Sequence, residues 1–441
     1  MGAVQHARVP VHSLKSAGGC ASYRRMTRRS WLGAAGGASF LGFLNPALLE
    51  AARSKRGRTA DSVILLWMSG GMSHIDTFDP QPGEDVGGPF EAISTTADGI
   101  SISEHLPRLA KSFKHLSLIR SMTSNEADHD RATYLMHTGY APIASIKHSP
   151  FGSIVAKYKG PSEEDPNLPP YVSIGIDWAA GYLGPRYAPY YIGNPNQGDA
   201  NLVFPWGMAA RRYNTRLEML QEFDKSFTAK RRQNEQLNAY AEHFNAALLM
   251  MRPQTAKVFD LDAEPIPVRE AYGATSGFGQ GCLLARRLVQ TGVRFVEVQN
   301  GGWDTHQDNF TRVSEKSAEL DTAVSTLIED LRRNDLFDRT VVVLASEFGR
   351  TPTINGNEGR DHYPRVWSTV IGGGGIQPGR LIGKSDKGQA VADNPVRVGN
   401  LHATLCKALG IDATQTNHSP DGRPFRIIKD TDAKPIDALF V

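Results

Sequence analysis

The chain has 441 residues, with 49 lysines and arginines against 46 aspartates and glutamates, a formal net charge of +3. Residues 1–60 contain ten of the bases and one acid, a balance of +9, which leaves −6 on residues 61–441. This charge distribution excludes a typical nucleic-acid-binding protein, whose basic residues lie on the folded domain. At 40% apolar and 22% charged residues, the composition is that of a globular protein.

The basic head contains Thr27–Leu32, TRRSWL, a pattern similar to a twin-arginine export signal. A run rich in glycine and alanine follows from Trp31 to Leu44 and is too short to span a membrane comfortably. We therefore expect residues 1–60 to be a signal peptide and linker, with translation starting at Met1 or Met26. The alternative is an arginine pair that begins an ordinary helix. With the signal, the body would pass through the twin-arginine translocase to the periplasm or the extracellular space, and it contains no other candidate membrane span.

Apolar runs and helical periodicity alternate along residues 61–441, which predicts one α/β domain with a mostly parallel sheet flanked by helices. The predicted strands are 63–68, 116–120, 171–176, 293–298, 340–345 and 366–371. The predicted helices are 104–115, 150–159, 281–291, a stripe through 320–331, and 400–409. Residues 177–265 differ, because 177–213 have no period and 216–251 have the pattern of a long charged helix. We interpret 177–265 as a cap or insertion on the α/β core.

Side chains that commonly bind metals follow two of the predicted strands and precede a third. Asp304 and His306 follow strand 293–298, Glu347 and Arg350 follow strand 340–345, and His362 comes before strand 366–371. Sites in such sheets form at the carboxyl ends of strands. Carboxylates and neutral imidazoles suit Zn²⁺, Mn²⁺ or Fe, and Ca²⁺ or Mg²⁺ are possible alternatives.

The sequence thus predicts a divalent metal site formed by Asp304, His306, Glu347 and His362, with Arg350 binding an anionic group of the substrate. Each residue also has a structural alternative. The aspartate and the histidines could hydrogen-bond within loops, and Glu347 could form an ion pair with Arg350.

Two further groups of polar residues follow other strands. The first is His74, Asp76 and Asp79, after strand 63–68, and the second is Asp128-His129-Asp130-Arg131. Their positions favour a site, although aspartate-rich loops are commonly turns.

Four motifs carry a resemblance to known families: GGWDTH at 301–306, FGRTP at 348–352, GRDH at 359–362 and LHATL at 401–405. The order of elements from Val293 to Gly349 is similar to the alkaline phosphatase/sulfatase superfamily. Residues 61–441 more closely resemble the domain-of-unknown-function family 1501 of twin-arginine-exported bacterial proteins. The resemblance implies an alkaline-phosphatase-like α/β sandwich, but it implies no settled activity.

The superfamily resemblance implies two metal ions and a serine, threonine or formylglycine nucleophile, and this chain departs from that pattern. Ser69 stands where the superfamily has a metal-binding aspartate, and Phe348 stands where it has a histidine of the second metal site. If Thr138-Gly139 is matched to the Thr-Gly that follows the superfamily's nucleophile, Asp128 and His129 fall at the nucleophile position. The absence of a Cys-x-Pro-Ser-Arg sequence excludes a formylglycine sulfatase. His306 also lies two residues after Asp304, where the superfamily usually spaces the pair by four.

Two functions remain open from the sequence. The first is an exported metal-dependent hydrolase of a phosphate, sulfate or related ester, small or polymeric, in which His129 with Asp128 acts as base or as phosphoryl-accepting nucleophile. The second is a catalytically degenerate member of the fold that serves as an exported binding or assembly protein.

Overall fold

The computed structural model describes residues 59–163, 165–197, 210–229, 244, 247–248, 250–251 and 253–440. The predicted export signal lies outside these residues. Among the residues described, no helix combines the length and the apolar character that crossing a membrane requires.

Eight strands form one central sheet in the order β8-β2-β7-β6-β1-β5-β3-β4. They are β1 Ser62–Met68, β2 Leu116–Met122, β3 Tyr171–Ile174, β4 Tyr190–Ile192, β5 Phe295–Asn300, β6 Thr340–Ala345, β7 Trp367–Gly372 and β8 Leu381–Ile382. Strand β7 is antiparallel to both of its neighbours, and the other pairs are parallel. The predicted α/β fold with a mostly parallel sheet is confirmed.

Helices cover both faces of the sheet. They are α1 Pro107–Ser112, α2 His129–Thr138, α3 Phe151–Lys159, α4 Ala210–Ala229, α5 Pro253–Ala256, α6 Ile266–Ala271, α7 Gly277–Gln290, α8 Asn309–Arg333 and α9 Val398–Leu409. Four small antiparallel ribbons pair Ala92–Ser94 with Ser101–Ser103, Gly349–Arg350 with His362–Tyr363, Lys384–Asp386 with Ala390–Asp393, and Thr416–His418 with Pro424–Arg426.

The sequence of the central strand β1 is a continuous apolar run because both of its faces are buried. Ile64, Leu66 and Met68 belong to a core that contains apolar side chains of α7 and α8. Val63 and Trp67 belong to a second core with those of α3 and α9. Because successive side chains of a strand point to opposite faces, a strand covered on both faces has no polar positions.

The region predicted to be a cap differs in detail from its sequence pattern. Strand β4 lies within it and pairs in parallel with β3 at the edge of the main sheet. Three residues are too few to show a period, so backbone pairing decides this strand. Helix α4 begins before the predicted start and is described to Ala229. The helix predicted at 104–115 is shorter, because α1 ends at Ser112 and a 3-10 turn follows over Phe113–His115.

Candidate metal centre at the carboxyl edge of the sheet

The site is built where three adjacent parallel strands end. The register pairs Met68 of β1 with Asn300 of β5, and Trp67 with Ala345 of β6, so the three strands end at nearly the same level. The loops that leave these ends carry Ser69 and Gly70, Asp304, and Glu347. Because β7 runs antiparallel, the loop before it returns to this edge and brings His362.

Gly70 allows the loop after β1 to approach the loop after β5. Its φ is +114°, and a Cβ at this position would lie 2.5 Å from the backbone nitrogen of Asp304. Its N–H donates to Glu347 Oε1 at 2.8 Å, and its carbonyl accepts from Arg350. A glycine is required here because of both the backbone conformation and the space.

Three imidazole Nε2 atoms converge around one carboxylate oxygen, Oδ1 of Asp304. It lies 3.1 Å from His306 Nε2, 3.4 Å from His129 Nε2 and 3.6 Å from His362 Nε2. The Nε2 atoms of His306 and His362 are 3.0 Å apart. His129, Asp304 and His362 offer ligand atoms that all lie within 4.8 Å of one another. We call His129, Asp304, His306 and His362 the edge cluster.

Each imidazole of the edge cluster uses its other ring nitrogen, Nδ1, to contact an oxygen outside the cluster. The pairs are His129 with Glu347 Oε1 at 2.8 Å, His306 with Asp361 Oδ1 at 2.8 Å, and His362 with the Ala127 carbonyl at 2.7 Å. Oxygen acceptors at Nδ1 assign the ring hydrogen to that atom and leave an Nε2 lone pair directed inward. This is the arrangement of histidines that bind a metal through Nε2.

The titration of the cluster follows from these partners. The hydrogen bond to Glu347 raises the pKa of His129, whereas burial lowers the pKa of His362. Burial works to raise the pKa of Asp304, but the hydrogen bond and charge of Arg350 keep it below its ordinary value. The carboxylate of Asp304 is therefore ionised at neutral pH and available as a ligand.

The guanidinium of Arg350, which the sequence assigned to a substrate anion, is turned into the protein and is 0% exposed. Its Nε donates to the Gly71 carbonyl at 2.9 Å and its Nη1 to the Arg360 carbonyl at 3.0 Å. Its Nη2 donates to the Gly70 carbonyl and to Asp304 Oδ1. Four of its five N–H donors are thus used by the protein, and its charge acts on Asp304.

Phe348 forms the apolar side of the edge cluster. Its buried ring packs against His129 and His362, with ring centroids 5.0 Å and 4.7 Å apart. Glu347, the preceding residue, is 1% exposed, and both of its carboxylate oxygens already have protein partners. The predicted ligand Glu347 therefore contacts His129 at the side away from the cluster.

A cavity of about 540 Å³ opens above the cluster. It is lined by Ser69, Gly70, His129, Asp130, Thr133, Tyr134, Ile176, Asp177, Trp178, Gly302, Asp304 and Glu347. Among the residues that the structure describes, the lining contains four carboxylates and two large aromatic rings, but no lysine or arginine. An anionic ligand in this cavity would need a positive charge from another source.

The other predicted residues lie outside the edge cluster. Asp76 forms a buried ion pair with Arg360, at 2.9 Å and 3.1 Å. His74 contacts the Gly388 carbonyl at 2.9 Å, and Asp79 accepts from Ser385. These contacts join the loop after β1 to the segments that contain Arg360, Ser385 and Gly388.

Asp128 is the N-cap of α2. Its Oδ1 accepts from the Arg131 N–H at 3.1 Å, which satisfies one of the free donors at the start of the helix. The cap fixes the first turn of α2 and hence the position of the next residue, His129.

The sequence predicted no role for several residues that contact the edge cluster, line its cavity or form buried hydrogen bonds in the structure. Asp361 precedes His362 in a motif that we had recognised, yet only the fold places its carboxylate against His306. Trp178 lies in the segment without a period. Glu297 accepts from Tyr171 and contacts His137, and its charge between Val296 and Val298 was the available signal.

Solved structures with similarity to this chain include sulfatases and alkaline phosphatases. The PsFucS1 sulfatase from Pseudoalteromonas sp. is 14% identical, with a TM-score of 0.40 over 82% of this chain and 70% of that chain. A protein in the alkaline phosphatase superfamily from Vibrio parahaemolyticus is 12% identical, with a TM-score of 0.38 over 81% and 69%. The alkaline phosphatase from the Antarctic bacterium TAB5 is 12% identical, with a TM-score of 0.37 over 80% and 99%. No curated protein matches the chain.

The model of one protein family, described as "Protein of unknown function (DUF1501)", matches residues 60–440. The match covers the whole α/β body, including every residue of the edge cluster. The resemblance drawn from the sequence motifs is confirmed, and the chain belongs to the DUF1501 family.

Proposed function

We propose that this protein is an exported metal-dependent hydrolase that acts on a phosphate, sulfate or related ester. The observation that carries the proposal is the convergence of three imidazole Nε2 atoms and the Asp304 carboxylate beside a cavity of about 540 Å³. A site of this composition in an open cavity suits catalysis better than purely structural metal binding, because a reactant can reach it.

The residues present fit a divalent metal. The Nε2 atom of His129 is buried without a hydrogen-bond partner, and the donor set of imidazoles and one carboxylate suits Zn²⁺, Mn²⁺ or Fe. Asp304, His306 and His362 would hold the ion. A metal bound there supplies Lewis-acid polarisation of the ester and activation of water.

The protein's own residues prepare the site for this chemistry. Arg350 holds Asp304 ionised and in place, and Glu347 holds His129 in one tautomer. The aromatic rings of Tyr134 and Trp178 offer apolar surface in the cavity to the organic part of an ester. Because the described residues that line the cavity include no lysine or arginine, we expect attraction of an anionic ester to depend on the metal and binding of the substrate to be weakened when the metal is removed.

The export part of the proposal rests on the twin-arginine pattern at Arg28 and Arg29. Export by the twin-arginine translocase carries folded protein, so the metal would be loaded before transport, and the protein would act in the periplasm or outside the cell. A fusion of residues 1–60 to a reporter tests this part. An Arg28→Lys, Arg29→Lys fusion that is exported as well as the parent contradicts it.

The second candidate is a binding or assembly protein without turnover. It is favoured by the positions that lack the superfamily's reactive residues: Ser69 and Phe348 replace metal ligands, and His129 stands where a hydroxyl or thiol nucleophile is expected. Such a protein would keep the fold and the pocket and bind a ligand without hydrolysing it.

Metal analysis and turnover assays on the purified full-length protein separate the two candidates. The hydrolase is expected to contain a stoichiometric metal and to hydrolyse aryl phosphate or aryl sulfate esters, with activity lost on chelation and restored by Zn²⁺ or Mn²⁺. Asp304→Ala and His362→Ala should each lower kcat/KM by at least about 1000-fold. His418→Ala, at an exposed ribbon outside the site, is the matched control. A metal-loaded protein that turns over neither ester class favours the binding protein.

A further inference from the structure

We propose that His129 is a fourth metal ligand and not a nucleophile, so that one ion is held by three imidazoles and one carboxylate. This inference deepens the proposed function and rests on it for the presence of a metal. It can stand without turnover, because metal binding is measured independently of hydrolysis.

The spacing of the four atoms fits a single ion. Ligands at about 2.0–2.2 Å from a metal lie about 3.3 Å apart in a tetrahedron and about 3.0 Å apart when adjacent in an octahedron. Four of the six distances among these atoms are 3.0, 3.1, 3.4 and 3.6 Å, and the ligand atoms of His129, Asp304 and His362 all lie within 4.8 Å of one another. His129 Nε2, at 3.4 Å from Asp304 Oδ1, belongs to the same set as the other two imidazoles.

The hydrogen bonds orient all three rings in the same way. Each Nδ1 faces an oxygen acceptor, so each Nε2 presents a lone pair to the others. Two lone pairs 3.0 Å apart, as in His306 and His362, repel unless a proton or a cation lies between them. A divalent ion satisfies the three lone pairs and the carboxylate together.

The surroundings of His129 match a ligand and its supporting residue. Glu347 accepts from the Nδ1 side of His129 and from the Gly70 N–H through one oxygen, and from Ser346 through the other. A buried carboxylate behind a metal-bound histidine is a common outer-shell partner. This places Glu347 as a positioning residue that acts through His129.

Among the described residues, one group of three ligand atoms lies close enough together to hold an ion, and Phe348 borders it. The ring of Phe348 packs against both His129 and His362. An aromatic hydrocarbon offers no ligand atom. The described residues therefore provide for one ion, with any open coordination position facing the cavity.

Metal titration of the full-length protein tests the inference. Zn²⁺ binding is measured by calorimetry with a competing chelator, and Co²⁺ binding by its visible absorption, which reports the number and type of ligands. We expect one ion per chain, at least about 100-fold weaker binding in His129→Ala, and about 10- to 100-fold weaker binding in Glu347→Gln, whose amide can move the ring hydrogen to Nε2. The Co²⁺ spectrum should change in both variants.

Asp130→Asn is the matched control, because Asp130 lines the same cavity on the same helix but lies outside the cluster. It should bind Zn²⁺ within about 2-fold of the parent. His129→Gln with a normal circular dichroism spectrum replaces the alanine variant if that variant fails to fold. Undiminished Zn²⁺ affinity with an unchanged Co²⁺ spectrum in a folded His129 variant, or two ions per chain, overturns the inference. Tight binding of one ion without turnover refutes the hydrolase and leaves the ligand assignment intact.

Discussion

The two ends of helix α2 carry two clusters of histidine and carboxylate with opposite character. At its N-terminus, His129 belongs to the edge cluster, whose side chains are 25–46% exposed and whose Nε2 atoms face one another. At its C-terminus, His137 belongs to a buried triad with Glu297 and Tyr171, and its side chain is 3% exposed. The same residue types thus meet in an open arrangement and in a closed one, eight residues apart.

The buried triad has a partner for every ring nitrogen and carboxylate oxygen. His137 Nε2 contacts Glu297 Oε1 at 2.7 Å, and its Nδ1 contacts the Thr133 carbonyl at 2.8 Å. The hydroxyl of Tyr171 donates to Glu297 Oε2 at 3.0 Å, and burial beside this carboxylate raises the pKa of Tyr171 well above its ordinary value. Both ring nitrogens of His137 are occupied by protein partners, and the triad ties α2 to β3 and β5.

The comparison teaches that the residue types in a cluster do not identify a site. The distinguishing property is hydrogen-bonding capacity that the protein itself leaves unused. The edge cluster has inward-facing lone pairs beside a cavity, which indicates a ligand, whereas the satisfied triad stabilises the fold. The following experiments test this distinction.

Removal of the carboxylate from the buried triad should have the largest effect on stability. Glu297→Ala leaves His137 and Tyr171 buried without their partner, and we expect the free energy of unfolding to fall by about 3–5 kcal/mol. His306→Ala, in the edge cluster of the metal-free protein, should cost less than about 1 kcal/mol, because its side chain is 44% exposed. Urea denaturation of both variants checks the contrast. Equal losses would remove the distinction between the clusters.

Acid should destabilise the protein through protonation of His402, a buried histidine beside the triad. Burial lowers the pKa of His402, which lies beside the triad and donates to the Met136 carbonyl, to about 4. The unfolded chain binds this proton below about pH 6.5 and the folded protein only near pH 4, so stability falls as the pH falls through that window.

The full contribution of His402 is roughly 3 kcal/mol. Urea denaturation at pH 7.5 and pH 4.5 should therefore show a smaller loss in His402→Gln, which keeps a donor but does not titrate. A variant with the same pH dependence as the parent would assign the acid sensitivity elsewhere.

The smallest expected effect is that of replacing Asp361, the carboxylate that accepts from His306 at the outer side of the edge cluster. Asp361 is 56% exposed and orients His306 through Nδ1. Asp361→Ala should weaken Zn²⁺ binding by about 10-fold, through loss of ring orientation, and leave the free energy of unfolding nearly unchanged. Calorimetry and urea denaturation of the same sample measure the two quantities. A large loss of stability with unchanged affinity would indicate a structural role for the pair.

Much of the fold could be predicted because its signals are local. The apolar run of Val63–Met68 and the stripe of α8 depend on the period of neighbouring residues. The strand-end rule placed Asp304, His306 and His362 at one edge of the sheet, and in the structure their side chains are in contact. Strand β4 was missed because an edge strand of three residues is formed by backbone pairing.

The sequence by itself determined the α/β class, the family and the edge of the sheet where histidines and carboxylates meet. Only the tertiary structure decided the direction in which each side chain points. It turned Arg350 inward to Asp304, set Glu347 behind His129 and closed the triad around Glu297. The physical reason is that hydrogen bonds between residues distant in the chain depend on the packing of several loops, and no local period records that packing.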